Sequence, residues 1–432
     1  MRFTLSPHHH DFAASLTSLL HSLDCDTATR AWSTGDPGPG LKIWRRLADQ
    51  GVQSLTIPTH HGGLAAGTDL STADDLPTDD GPSTSGDLAE SGSLSTSGTL
   101  AAEDGLADGR SLSTRGRLST SGNLATASGR STAGTQAADG STSTGSSPSA
   151  GGSPSAGGGA SAGGSLAAGD DSAGTRRENG DPGSGATTID AVVAFEVLGH
   201  FCLPGPWTDA AVLPLLLDHD VLASVATGET LVSLSLPPHV PFALDADLAD
   251  ARYLLDGSQL RTFTPGSALS SLDAARRLFA PIPGAELGPA LAPERAFNLG
   301  ALLTAAQLLG AGRWLLDASV THALSRRQFG REIGRYQAIQ HLLADVATAL
   351  ELATPLLYGA AVTGEPADIS AAKTACGDAA YLSARTALQV HGALGYTAEH
   401  PLGLRLTRVR ALVGAWGTPA EHRRRVLAAI AP

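Results

Sequence analysis

The sequence predicts a mainly α-helical protein with a small β domain in its middle and a long disordered insertion. Apolar residues recur at helical spacing near both ends of the chain, and residues 231–236 alternate in polarity as a half-buried strand does. A long stretch near the N-terminus consists largely of Gly, Ser, Ala and Thr. The predicted parts are an N-terminal helical domain over 1–63, the insertion over 64–187, the rest of the helical domain over 188–217, the β domain over 218–290 and a C-terminal four-helix bundle over 291–432.

Three helices are predicted for the N-terminal domain. The third follows the insertion, starts near Asp190 and ends before Pro204, because proline does not continue a helix. It is the expected packing partner of the first two helices, whose apolar stripes need to be covered. Those stripes are Leu16, Leu19, Leu20 and Leu23 in the first helix, and Leu41, Trp44 and Leu47 in the second.

The insertion over 64–187 is predicted to be disordered because it has too few large apolar residues to offset the entropy lost on ordering. It contains repeats, LSTSG at 94–98 and 118–122 and SPSAGG twice over 147–158. These units lack the apolar residues that a stacked solenoid would bury. An expanded surface loop is therefore expected, and its closure costs little because the penalty grows only with the logarithm of loop length.

The β domain and the bundle carry signals of their own. An Asp256-Gly257 turn joins two strand-like arms within 251–263. In the bundle, a third helix is expected from about Pro366 to Gln389, with Gly392 beyond its end, and a fourth from Ala420. The first two bundle helices are predicted from the stripes Leu299, Leu302, Leu303, Ala306 and Ile339, Leu342, Leu343, Val346.

Composition limits the possible partners and compartments. A net charge of −13 disfavours nucleic acid as a partner. No run of about 18 apolar residues and no signal-peptide core occur, so no membrane partner is expected. The cysteines Cys25, Cys202 and Cys376 are widely spaced and odd in number, which argues against a disulfide framework. A cytoplasmic location is therefore expected.

Two segments occur in an order that is typical of one family. Residues 325–346 read SRRQFGREIGRYQAIQHLLADV, an Arg-Arg-Gln-Phe-Gly turn joined to an amphipathic helix, and residues 389–410 read QVHGALGYTAEHPLGLRLTRVR. The first resembles the flavin-binding helical hairpin of the acyl-CoA dehydrogenase family, and the second resembles the glycine loop that lies against the flavin. The N-terminal helices are similar to those of the same family, so the resemblance implies an acyl-CoA dehydrogenase-like fold.

The resemblance implies FAD as the cofactor and an acyl-CoA thioester as the substrate. Arg326 would meet the FAD pyrophosphate with its planar guanidinium, in a flavin held mainly by the neighbouring subunit. Glycines would let the backbone approach the dinucleotide closely, although Ala393 stands where the family has a second glycine. The other cofactor-binding residues that the resemblance implies are Gln328, Phe329, Gln337, Gln389, Gly392 and Gly395.

The expected reaction removes a proton next to the thioester and so requires a carboxylate base. Many members have a glutamate before a Gly-Thr pair, but Trp416 stands at that position. Some relatives have the base on the first long bundle helix, where this chain has Gly300. Glu294, about 9 Å from Gly300 along a helix, and Glu421 are the conceivable substitutes. The catalytic residue is therefore left unassigned.

A dehydrogenase fold without a base predicts a companion subunit of a heteromeric enzyme that acts in α,β-dehydrogenation of an acyl-CoA. A sister subunit would then carry the glutamate, while this chain completes the flavin sites. One alternative is a self-sufficient homomer, dimeric or tetrameric, with an unconventional base. Another is a non-catalytic scaffold that binds flavin or acyl-CoA.

Other charged residues carry weaker signals. His8, His9 and His10 are interpreted as solvated, because no Cys or acidic residue stands at ligand spacing, and His60 and His61 are given no role. No metal site is therefore predicted. A group of arginines is consistent either with contacts to cofactor phosphates or with a solvated face. Its members are Arg405, Arg408, Arg410, Arg423, Arg424 and Arg425.

Overall fold

The structure, a computed structural model, describes residues 5–65, 185–397 and 399–431. Some of the helices begin at residues whose side chains cap free backbone amides. Ser6 and His9 form a capping box at the start of α1, and Thr187 and Asp190 form another at the start of α4. The N-terminal helices are α1 (Pro7–His21), α2 (Cys25–Ser33), α3 (Gly38–Ala48), α4 (Thr188–His200), α5 (Trp207–Val212) and α6 (Val221–Ala226).

The predicted disordered insertion lies outside the described residues except at its two ends. There the chain leaves and re-enters the fold at one point: the backbone N–H of Ala186 donates to the carbonyl of Leu64 over 2.6 Å, and Ala65 pairs with Ala186 in a parallel bridge. Thr187 caps α4. The boundaries predicted at 64 and 187 therefore fall on residues that belong to the fold.

A five-stranded sheet follows α6. Its strands β1 to β5 are Val232–Ser235, Ala243–Leu244, Ala251–Asp256, Gln259–Leu269 and Leu278–Pro289. The spatial order is β1-β3-β4-β5-β2, with β1 and β3 parallel and the other pairs antiparallel. The predicted hairpin is present between β3 and β4, where Gly257 has the positive φ of 64° that glycine readily adopts. Leu254, Phe263 and Phe279 form a small core on this sheet.

Within the described residues the C-terminal bundle has five helices, and the first of them packs against three of the others and against α4. The helices are α7 (Pro293–Ser325), α8 (Gln337–Thr363), α9 (Pro366–His391), α10 (Leu402–Gly414) and α11 (Pro419–Ile430). The predicted stripe of α7, including Leu302 and Leu303, is fully buried. Glycines let α4 cross α7 closely, because a Cβ at Gly199 or at Gly310 would overlap the backbone of the other helix.

Two features of the bundle differ from the prediction. The segment that forms α10 was predicted to belong to a glycine loop. Its apolar residues Leu402, Val409 and Leu412 are buried, and the arginines between them hide this helical pattern in the sequence. The stripe predicted for α8 is only partly covered, since Val346 is buried while Ile339 is half-buried. The outer side of α8 thus remains an exposed apolar face.

Helices α7 and α8 are also long and apolar enough to cross a membrane by length and composition alone, with a mean hydropathy of 1.3 over 18 residues. This differs from the sequence-based prediction, in which no run of about 18 apolar residues occurs. Most of the apolar window of α7 (83%) is buried inside the protein, against 44% for α8. Core helices of soluble proteins have the same length and hydropathy, so these two helices are only weak evidence for a membrane span.

Candidate functional site

The turn after α7 presents the first predicted cofactor residues to solvent. Two short strands, Arg327–Gln328 and Arg331–Glu332, pair across Phe329 and Gly330. Both central residues have positive φ, 52° and 83°, and the ring of Phe329 is 92% exposed. The hydroxyl of Tyr336 fixes the turn by donating to the carbonyl of Gln328 over 3.1 Å. The turn is therefore ordered by its own contacts while its aromatic ring projects outward.

The second predicted motif lies beside the first. His322, one turn before Arg326, stacks on His391 with ring centroids 4.4 Å apart, and Gly392 follows directly. Gly392 has a φ of 58°, and a Cβ there would meet no atom within 4 Å. Gly395 is different, because a Cβ there would press on Leu388 and Leu402. The space at Gly392 is thus open, whereas the space at Gly395 is filled by this chain.

We call the exposed members of the two motifs the cofactor surface. They are Arg326, Gln328, Phe329, Gln337, Gln389 and Gly392. Within the described residues Arg326 has no ion-pair partner. Its neighbour Arg327 pairs with Glu332 at 2.9 Å, and Arg335 pairs with the same carboxylate at 2.7 Å. A guanidinium that forms no ion pair with the described residues suits a phosphate group, and an open glycine suits close approach of a dinucleotide, so these residues fit the cofactor that the resemblance implies.

The two positions at which relatives carry the base lie together in space. Gly300 in α7 packs directly under the indole of Trp416, and a Cβ at Gly300 would overlap that ring. Trp416 is buried with a φ of 53°, and Gly417 continues the turn with a φ of 93°. One candidate position for the base therefore holds the ring of Trp416, and the other holds Gly300, which leaves room for that ring.

A cavity of only about 10 Å³ adjoins Trp416, and we call the group around it the closed centre. Such a volume holds at most one water molecule. Asp209, which the sequence pattern did not single out, lines it and accepts a hydrogen bond from the Leu234 amide over 2.9 Å. Burial raises the pKa of Asp209 to about 7. The remaining polar residues at this cavity are Thr208, Arg276, Thr304, Gln307 and Arg408.

Two of the six arginines whose role the sequence did not decide are buried and form ion pairs within the fold. Arg408 is buried, pairs with Asp273 and donates to the carbonyl of Leu203 over 2.7 Å. Arg405 is buried, pairs with Asp26 and lies 4.0 Å above the ring of Trp314. These two side chains are therefore neither solvated nor free to contact cofactor phosphates, which were the two alternatives predicted for them. Their ion-pair partners lie more than 130 residues away in sequence, so no local pattern indicated them.

A second, larger cavity of about 400 Å³ lies between residues 236–239 and the starts of α7 and α11. Both conceivable substitute acids, Glu294 and Glu421, line it. Glu421 lies 2.6 Å from Nδ1 of His239, whereas Glu294 is largely exposed and lies 3.6 Å from Arg425. Neither carboxylate lines the closed centre at Trp416.

The histidine-rich sites also differ from expectation. His9 is not solvated: its ring accepts a hydrogen bond from the Ser6 amide, and its Nε2 lies 3.6 Å from Asp190. His60 and His61 both reach the carboxylate of Asp218. Sequence spacing missed these acidic partners because they come from the far side of the insertion.

Comparisons with known proteins agree with the geometry. Residues 288–431 match the family model described as acyl-CoA dehydrogenase, C-terminal domain. The chain is 30% identical over 252 residues to acyl-CoA dehydrogenase IpdE2 of Mycobacterium tuberculosis, covering 56% of this chain and 78% of that protein. It is also 30% identical over 277 residues to acyl-CoA dehydrogenase FadE34 of the same organism, covering 57% of this chain and 39% of that protein.

Solved structures show the same fold at low sequence identity. A glutaryl-coenzyme A dehydrogenase in complex with glutaryl-CoA superposes with a TM-score of 0.60 at 15% identity, covering 100% of this chain and 97% of that one. Butyryl-CoA dehydrogenase from Megasphaera elsdenii gives 0.51 at 18% identity, over 57% and 83% of the two chains. The chain therefore belongs to the acyl-CoA dehydrogenase family, flavoprotein oxidoreductases that act on CH–CH donors and have FAD as their general cofactor.

Proposed function

We propose that this chain is the companion subunit of a heteromeric acyl-CoA dehydrogenase. In this proposal a sister subunit provides the carboxylate that removes the proton next to the thioester. The present chain provides one wall of a flavin site through its cofactor surface. The assembled enzyme carries out α,β-dehydrogenation of an acyl-CoA.

The observation that carries the proposal is the packing of Trp416 on Gly300. A general base has to reach the proton that it removes, directly or through one water. At this place the chain has an indole, which cannot accept a proton, and no volume for a thioester. Asp209 is a carboxylate nearby, but the cavity that it lines has a volume of about 10 Å³ and admits nothing larger than a water molecule.

The exposure of the cofactor surface supports a partner subunit. Phe329 is 92% exposed in the turn after α7, and Tyr396 is 77% exposed in the turn after α9. Large aromatic side chains left this exposed are consistent with a surface that another molecule covers. A flavin held between this face and a second subunit would cover them, and it would bring its pyrophosphate to the unpaired Arg326.

The residues of this surface fit FAD without defining the whole of its site. Arg326 would hold the pyrophosphate, and Gly392, with open space at its Cα, would let the backbone approach the dinucleotide. When bound, FAD accepts the hydride that leaves the substrate. The free, buried state of Cys25, Cys202 and Cys376 supports the proposal that the complex works in the reducing cytoplasm.

A homomeric enzyme is the second candidate, and the 400 Å³ cavity favours it. Glu421 lines that cavity at the start of α11, beside His239. A carboxylate next to a cavity of this size is a possible base for a substrate bound there, at a different place from the closed centre. This hypothesis requires that the flavin also enter that cavity.

The test compares the chain alone with the chain co-expressed with a sister subunit that has a glutamate before its Gly-Thr pair. We measure dye reduction with a panel of straight-chain acyl-CoAs and the ratio of FAD to protein. The proposal expects turnover only from the complex, lost when the sister's glutamate is replaced by glutamine. Turnover by the isolated chain that Glu421→Gln abolishes would establish the homomer instead. A complex that binds no flavin would favour a scaffold.

A further inference from the structure

His60, His61 and Asp218 form a cluster that the dehydrogenase function does not use. The two histidines end a short 3-10 turn, Thr59–His61, and Asp218 lies in the loop before α6. Nε2 of His60 lies 3.3 Å from Oδ1 of Asp218, and Nε2 of His61 contacts the same oxygen. The two imidazole rings lie 4.3 Å apart. Two nitrogens and one carboxylate oxygen therefore converge on one point at the protein surface.

The geometry is that of a partial metal-coordination shell. The three ligand atoms all lie within 4.8 Å of one another. Ligands bound at 2.0–2.1 Å to a tetrahedral zinc ion are about 3.3 Å apart, which is the separation between His60 and Asp218. The contact between His61 and Asp218 is shorter than this and would have to widen to admit an ion. Three protein ligands leave one coordination position for water.

The backbone holds the two histidines in place without a metal. The amide of His61 donates to the carbonyl of Pro58 over 3.0 Å, and Gly62 closes the turn with a φ of 77°. The side chain of His61 is only 12% exposed, so its ring is fixed, while His60 and Asp218 stand at the surface within reach of solvent ions. A site of this kind needs little reorganisation to bind an ion.

We propose that His60, His61 and Asp218 bind a divalent transition-metal ion, with Zn²⁺ as the best match. Imidazole nitrogens suit Zn²⁺, Co²⁺, Ni²⁺ and Cu²⁺, whereas Mg²⁺ and Ca²⁺ prefer oxygen ligands. The bound ion would clip the turn after residue 58 to the loop before α6. That turn leads within three residues to Leu64, where the chain leaves the fold. The site thus stabilises the base of the insertion.

The experiment uses the full chain, purified without a tag and treated with a chelator. Zn²⁺ is titrated against a chromogenic competitor, and Co²⁺ is added separately to follow its ligand-field absorption. The variants are His61→Ala and Asp218→Asn. The matched control is His219→Ala, since His219 is next to Asp218 and its ring instead accepts from the amide of Val221 over 3.2 Å. A His8→Ala, His10→Ala double variant accounts for binding at the N-terminal histidines.

We expect one Zn²⁺ site per chain, weakened at least tenfold in His61→Ala and in Asp218→Asn and unchanged in the controls. A saturating amount of Zn²⁺ should also raise the melting temperature of the parent and not that of Asp218→Asn. Equal zinc affinity in the parent and in Asp218→Asn would overturn the proposal. Loss of the site in the His8→Ala, His10→Ala variant would do so as well, because it would place the ion at the N-terminus.

Discussion

The closed centre and the cofactor surface are both built on α7, yet they have opposite character. Gly300 lies near the start of the helix and Arg326 directly after its end, about 39 Å apart along its axis. Around Gly300 the chain fills its own space, with Trp416 packed on the helix and Arg408 paired to Asp273. At the other end Arg326 and the ring of Phe329 are exposed, and Arg326 forms no ion pair with any residue that the structure describes.

The difference separates a region that the chain fills with its own side chains from a region that it leaves exposed. In the proposed heteromer, the region around Gly300 and Trp416 is packed as core and stabilises the fold. The cofactor surface is the region that a flavin and a partner subunit would cover. Changes at the first region should therefore alter stability, and changes at the second should alter cofactor binding without unfolding the chain.

The largest effect is expected when the Trp416 and Gly300 contact is broken from either side. Trp416→Ala should destabilise the chain by about 3–5 kcal/mol, because a buried aromatic ring is lost and a cavity remains. Gly300→Ala should cost about 1–3 kcal/mol, because its Cβ has no room under the indole. Urea unfolding of both variants and of the double variant measures these free energies.

The double variant gives the sharper result. Without the indole, the Cβ at residue 300 fits, and alanine in a helix is favoured over glycine by about 0.5–1 kcal/mol. Gly300→Ala should therefore change from destabilising to neutral or stabilising in the Trp416→Ala background. Gly377→Ala in α9, where a Cβ makes only ordinary contact with Val413, is the control and should not destabilise. Additive effects would mean that the two residues do not pack as described.

The next effect concerns flavin retention by the assembled enzyme. Arg326→Ala should weaken FAD binding about 10- to 150-fold, since a charge-assisted contact to a phosphate contributes about 1.5–3 kcal/mol. Arg327→Ala serves as the control, because that side chain is already paired with Glu332. Bound FAD after gel filtration is the measurement, with the melting temperature as a check on folding. Equal FAD retention by both variants would show that Arg326 does not contact the cofactor.

The smallest effect is a pH dependence that originates in the closed centre. Burial raises the pKa of Asp209 to about 7, above the ordinary value of 3.8. Between about pH 4 and pH 7 the folded state therefore holds a proton that the unfolded state has released. The stabilisation that Asp209 contributes is present below pH 4 and is lost as the pH rises through 7. Asp209→Asn should abolish this loss while keeping an oxygen for the Leu234 amide.

The difference between the two proteins isolates the effect. From pH 5 to pH 7 the parent should lose on the order of 2 kcal/mol relative to Asp209→Asn, at about 1.4 kcal/mol per pH unit for one proton. His200 and His422 act in the opposite direction, because burial lowers the pKa of each to about 4, but they are present in both proteins. Parallel stability curves for the two proteins would show that Asp209 titrates normally in the fold.

Local patterns in the sequence predicted most of the fold. The stripe from Leu299 to Ala306 and the turn at Gly257 are visible in a few consecutive residues, and both are present as expected. The start of α4 was also predictable, since Thr187 and Asp190 stand at the spacing of a capping box. Helix α10 was missed because its arginines, two of them buried as ion pairs, interrupt the apolar period.

The sites were less predictable because their contacts are distant in sequence. Counting along the chain identified Gly300 and Trp416 separately, but only the fold shows that one packs on the other. Asp209 gave no signal, since its pKa depends on burial by residues of other elements. His60 and Asp218 are 158 residues apart, on opposite sides of the insertion. The assignment of the cofactor surface to FAD stays a prediction.

The pairing of Ala65 with Ala186 has a consequence for how this sequence can change. Ala65 and Ala186 lie side by side in one bridge, so a linker between them has little distance to span. For a flexible linker, each doubling of length then costs only about 0.6 kcal/mol. Changes in the number of residues between these two positions should therefore cost the fold little. The same bridge offers a permissive point for grafting a reporter domain.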